Sequence, residues 1–164
     1  MNLIAWIILT ALLMDFWLHW QADRLNLKAQ PATPPDIFRS FYEDGDYQRA
    51  KDYLAVNTRF GWLADGIQLA VVVIFWLAGG FPALDAWVRA WEQGPLLIGL
   101  FFIGFLVLLR AVLALPFSIY NTFVIEERYG FNRTTLKTFV FDLLKSAMLG
   151  IILGGGILDL VMWI

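Results

Sequence analysis

From Gly94 to Ile125 the chain runs 32 residues with one charged side chain, Arg110. Wound as a single α-helix, that stretch is about 48 Å long, more than the ~30 Å of hydrocarbon in a bilayer. Three more blocks share its character: Leu3–Trp20, interrupted by Asp15 and His19; Gly66–Leu84, with no formal charge; and Ser146–Ile164, with Asp159 alone. Each is about as long as a helix needs to span a membrane. Leu, Ile, Val, Phe and Trp fill them without period-two alternation, which selects helices over barrel strands. In lipid a helix also satisfies every backbone group without needing closure. The expected fold is therefore all-α: a polytopic membrane protein with four transmembrane helices, over about residues 3–20, 66–84, 94–125 and 146–164. They form one membrane domain, 1–164, with loops 21–65 and 126–145.

Composition sharpens the exclusions. The chain is 60% hydrophobic and 16% charged, against ~45–50% and ~25% in soluble domains. A water-soluble globule of this length could not hide that apolar surface. A net charge of −2 lacks the basic footprint of a nucleic-acid binder. With no cysteine and one histidine, a disulfide scaffold, a Cys nucleophile and a two-histidine zinc site are excluded. No Lys or Arg precedes Arg24, and no small-x-small cleavage site follows the first block. That block therefore reads as a retained helix and not a signal peptide.

Thirteen of the 26 charged residues lie between Asp23 and Asp65 and eight between Glu126 and Asp159. Ten of the Lys and Arg residues fall in the two long loops, and Arg89 is the one on the opposite side. The positive-inside rule puts both loops in the cytoplasm and the N-terminus outside. Pro31, Pro34 and Pro35 open the first loop as an extended stretch. Beyond it, Asp46 can cap a short amphipathic helix over Asp46–Thr58, with Tyr47, Ala50 and Leu54 at helical spacing. Trp62, Trp76, Trp87, Trp91 and Trp163 lie near expected helix ends, as in an interfacial aromatic belt. The third helix is too long for one straight crossing, and Pro116 marks a kink. It should leave the membrane near Tyr120, with Gly130 at C′ and Asn132 or Thr134 capping a following helix.

Four ionisable residues fall inside the expected spans: Asp15, His19, Arg110 and Asp159. Such groups are expensive in hydrocarbon and face a bundle interior or a wet cavity. Asp15 and His19, at i and i+4, share a helix face. They would form a polar patch in a cavity or, like Asp159, pair and snorkel near a span end. Arg110 lies deeper, where a buried pairing or a water-filled interior would receive it. Glu126 and Glu127 could do acid–base work or bind a cation; at a helix end, solvation is the simpler role. Gly154-Gly155-Gly156 in an apolar helix suits close packing. No nucleophile–base pair, phosphate loop or dinucleotide fingerprint is present.

The run from Leu115 to Asn132, LPFSIYNTFVIEERYGFN, closely resembles the signature of the N-terminal membrane domain of type I CAAX prenyl proteases, multi-helix membrane zinc metallopeptidases. Tyr53–Trp62 (YLAVNTRFGW), Thr134-Thr135-Leu136 and Phe141–Ser146 are also similar to that family. The resemblance implies a membrane protease with helices around a water-filled chamber and a zinc domain facing the cytoplasm. Its substrates would be prenylated proteins or, in bacterial relatives, membrane proteins. The family's catalytic H-E-x-x-H and downstream glutamate do not occur in these 164 residues. No catalytic or metal-ligating residue carries over, and the chain should bind no cofactor; zinc is expected only in a full-length member. What carries over is the signature, Pro116, Asn121, Glu126, Glu127, Gly130, Phe131 and Asn132, in an architectural role. The expected function is chamber wall and support for a C-terminal catalytic domain absent from this chain, inactive alone, with self-association as another source of walls. The alternatives are a stand-alone membrane scaffold or binding protein, and an oligomeric transporter or channel lined by Arg110 and Asp159.

Overall fold

A computed structural model describes residues 3–34 and 45–163, with side chains through residue 156. Among them there is no strand. The helices are α1 (Leu3–Ala29), α2 (Asp46–Leu77), α3 (Gly80–Arg89), α4 (Pro95–Tyr120), a π-helical segment (Asn121–Glu126), α5 (Glu127–Tyr129) and α6 (Leu136–Trp163). Three helices among the described residues are long and apolar enough to cross a membrane: Leu3–Ala29, Asp46–Leu77 and the continuous Pro95–Tyr129. Among the described residues only Ala64, Val88 and Ile125 are buried, while large apolar side chains such as Ile74, Val107 and Ile151 are more than 60% exposed. Apolar surface this extensive belongs to a protein whose solvent is partly lipid.

Helix boundaries differ from the sequence expectation at four places. First, α1 continues nine residues past Trp20 to Ala29. Gln21–Ala29 is polar but made of helix formers, and Pro31 is the nearest residue that forces an end. Second, the segment expected as a separate amphipathic helix, Asp46–Thr58, runs unbroken into the second apolar block. Only Gly61 and Gly66 interrupt the join, and an isolated glycine does not stop a helix. Asp46 begins the helix, and its Oδ1 takes the Arg49 guanidinium at 2.5 Å. Third, the second block does not reach Leu84 as one helix. Gly79 adopts φ 78°, and α3 starts at Gly80. A Cβ on Gly80 would lie 2.5 Å from the Phe75 ring and 2.6 Å from its carbonyl oxygen, so the close turn there requires glycine. Fourth, Thr135, one residue past the expected Thr134, caps α6: the Thr138 N–H donates to Thr135 Oγ1 at 3.2 Å. Its oxygen stands three residues before an N–H that has no partner within the helix.

The chain resolves into two compact units. The first comprises residues 1–74 and 114–132, and the second residues 75–113 and 133–164. In the second unit one indole of α3, Trp87, and one from the turn after it, Trp91, lie on α4. Trp87 meets Phe105 at 4.8 Å between centroids, Trp91 meets Phe101 at 5.0 Å, and Trp87 and Trp91 meet each other at 4.8 Å. These edge-to-face contacts enclose nothing polar, and Val88 on the same helix is completely buried.

Candidate functional site

The first unit brings together the two sequence stretches that carry the family resemblance. On α2, Tyr53, Asn57, Phe60, Gly61 and Ala64 recur at three- and four-residue spacing and form one helix face. Phe60 meets Phe117 at 6.1 Å and Tyr120 at 5.0 Å, while Tyr53 meets Tyr129 at 5.7 Å and Phe131 at 4.7 Å. Tyr53 lies in the charged first half of α2, ahead of the apolar stretch.

The signature ends in a complete helix stop. Gly130 takes φ 74°. Its N–H donates to the Glu127 carbonyl at 3.1 Å, and the Phe131 N–H donates to the Glu126 carbonyl at 2.9 Å. That pair of bonds is a Schellman turn, with the expected Gly130 at C′. The turn aims Phe131 back at Tyr53. Each adjacent carboxylate is met by an asparagine of the same motif. Asn132 Nδ2 donates to Glu127 Oε2 at 3.0 Å, and Asn121 Nδ2 makes a long contact, 3.5 Å, with Glu126 Oε1. The two glutamates thus brace the turn from opposite sides. Pro116, inside α4, is exposed.

Above this junction lies a cleft of about 340 Å³, lined by Asp23, Asn57, Thr58, Phe60, Gly61, Ala64, Phe117, Ser118 and Asn121. Asp23 stands on the part of α1 that extends beyond the first apolar block. Its Oδ2 accepts the Trp62 indole N–H at 3.0 Å, and Trp62 also packs edge-on against Trp20 at 6.0 Å. Asn121 Oδ1 is shielded from solvent and has no hydrogen-bond partner. An unpartnered buried acceptor costs about 1–3 kcal/mol. Asn121 belongs to the signature, but no sequence pattern singles out Asp23, which falls in the stretch that reads as a loop. A tryptophan near a helix end and an aspartate just past another are the only sequence signal for that pair.

Of the ionisable residues in the expected spans, Asp15, His19 and Arg110 do not line this cleft. Asp15 and His19 do share a face of α1. His19 Nδ1 lies 2.9 Å from the Asp15 carbonyl and 3.4 Å from its Oδ1, and both side chains are over 70% exposed. Arg110 is exposed on α4, with no ion pair among the described residues. Asp159 lies in α6, and its side chain is outside the described residues. Among the described residues no three His, Cys, Asp or Glu side chains are grouped closely enough to hold a metal ion. With one histidine in the sequence, the residues present do not fit a zinc centre.

Comparison with known proteins places this architecture. The family model described as CAAX prenyl protease N-terminal, five membrane helices, matches residues 23–164. The probable CAAX prenyl protease 1 of Schizosaccharomyces pombe is 34% identical over 131 residues, covering 71% of this chain and 27% of that protein. The mouse CAAX prenyl protease 1 homolog is 46% identical over 136 residues, covering 77% of this chain and 28% of its own length. The crystal structure of S. mikatae Ste24p superposes with a TM-score of 0.77 at 25% identity, over 94% of this chain and 38% of that one. The chain therefore spans well under half the length of each relative. A signature turn braced by its own asparagines, a matching helical fold and a family match over residues 23–164 lead to one assignment: the chain belongs to the CAAX prenyl protease family, as its N-terminal membrane region.

Proposed function

We propose that this chain forms the membrane-embedded N-terminal portion of a zinc-dependent CAAX prenyl endopeptidase, supplying chamber wall and a support for catalytic machinery outside these 164 residues. The observation that carries the reading is the junction itself. The two family-like stretches, Tyr53–Trp62 and Leu115–Asn132, fold onto one another through Tyr53, Phe60, Phe117, Tyr129 and Phe131. In this reading Pro116, Asn121, Glu126, Glu127, Gly130, Phe131 and Asn132 shape that junction and do no bond chemistry. Four spans cross the bilayer, carried by α1, α2, α4 and α6, and α4 bends at Pro116, whose missing N–H frees a carbonyl one turn back. Ten residues make α3 about 15 Å long, too short to cross alone. The N-terminus lies outside and both Lys- and Arg-rich loops lie in the cytoplasm. Prenylated or membrane-protein substrates enter between these walls.

The chain purified in detergent should contain no stoichiometric zinc and leave a prenylated CAAX peptide uncut. When it is supplied with a segment from its own reading frame bearing H-E-x-x-H, cleavage should appear. Zinc or cleavage in the chain alone overturns the reading. A frame with no such segment overturns it too, in favour of a scaffold without peptidase activity.

A further inference from the structure

The cleft in the first unit has an unbalanced chemistry. Its lining offers one carboxylate, Asp23, together with the amides of Asn57 and Asn121 and the hydroxyls of Thr58 and Ser118, and no lysine or arginine. The Trp62 N–H bonded to Asp23 Oδ2 directs the carboxylate but does not cancel its charge. The adjacent cation, Arg24, is drawn to the Trp20 ring, 5.5 Å from its centroid. What the cleft lacks is therefore a positively charged group rich in N–H donors. A single carboxylate excludes an anion, and one carboxylate with neutral amides is a poor set for a transition metal. The rings of Phe60 and Phe117 line the same space, and aromatic faces attract a planar guanidinium more than they do a strongly hydrated ammonium. About 340 Å³ is at the small end of ligand clefts, ample for one side chain.

We propose that this cleft is a binding site for a basic side chain of a polypeptide, arginine in preference to lysine. Asp23 is its counter-ion, and the rings of Phe60 and Phe117 form the wall beside the guanidinium. The site stands on the geometry of the first unit and needs no peptidase activity.

The test uses the purified chain in micelles, with the Trp62 indole N–H resonance as reporter because that proton is bonded to Asp23. N-acetyl-arginine amide should move it saturably and bind about tenfold more tightly than the neutral isostere N-acetyl-citrulline amide, as expected of a charge-assisted pair. N-acetyl-lysine amide should fall between them. Asp23→Asn, which can still accept the indole N–H, should keep the resonance dispersed and lose the preference for arginine. Phe117→Leu should weaken the arginine probe more than the lysine probe. Equal binding of the arginine and citrulline probes, unchanged selectivity in Asp23→Asn, or no saturable shift overturns the proposal. A photo-crosslinker at Thr58 in native membranes separates the two sources of such a side chain. An adduct with another peptide at an Arg or Lys marks a bound substrate, a link to an Arg or Lys of the same polypeptide marks an internal tether, and adducts at other residue types overturn the proposal.

Discussion

In the first unit, ring contacts between helices are joined by groups that have to point the right way: Trp62 N–H on Asp23 between α1 and α2, and, within the signature's own helix end, Asn132 on Glu127 and the two backbone bonds of the Gly130 turn. In the second, α3 and the turn after it meet α4 through the faces and edges of Trp87, Trp91, Phe101 and Phe105. Both units are wrapped in exposed apolar surface, so the hydrophobic effect does not distinguish them. Directional bonds fix one register and tolerate few substitutions, whereas ring clusters accept swaps of similar volume. The family-like sequence falls largely on the directional side, as expected if that unit has a surface to present to something else.

Four substitutions should break or sharpen this contrast. Gly80→Ala should have the largest effect, although it lies in the more tolerant unit. Its Cβ would meet both the Phe75 ring and the Phe75 backbone, and such overpacking costs about 3 kcal/mol. Thermal unfolding in detergent should register it, and a change below about 1 kcal/mol would show that the turn relaxes. Trp62→Phe should follow. It keeps a ring against Trp20 and strips the donor from a partly buried carboxylate, for a loss of about 2 kcal/mol; a companion Trp87→Phe in the aromatic cluster, with no hydrogen bond of its indole at stake, should cost less. Equal losses would erase the distinction between the units. Gly130→Ala should be smallest, at about 1–2 kcal/mol, because alanine resists the left-handed conformation while open space surrounds its would-be Cβ. Faster amide exchange at Phe131 would locate that loss in the turn.

Much of this organisation was legible in the residues. Charge segregation announced membrane helices, and Gly130 announced its own turn, since glycine just past a helix is a local signal. The boundaries were harder to read. Gln21–Ala29 is polar yet helix-forming, and polarity was mistaken for a loop. The break at Gly79 was hidden because no charge marks it, and glycines within apolar helices seldom stop them. The cleft was half visible. Asn121 stood inside the signature, but its partner surface depends on Asp23 and Asn57, which tertiary packing brings near from 98 and 64 residues away in sequence. No local pattern encodes such an approach.

In the segment Asn121–Glu126 each backbone hydrogen bond spans one residue more than in an α-helix. Angular position downstream therefore depends on how those six residues wind as much as on their identity. Rewinding the same six residues as an ordinary α-helix would swing Glu127 and the turn beyond it by about 100° about the axis. Hydropathy and charge would hardly change, yet Phe131 would no longer face Tyr53. A homologue with the right side chains and ordinary α winding through these six residues would thus fit the bilayer and still misdirect everything it carries past this point.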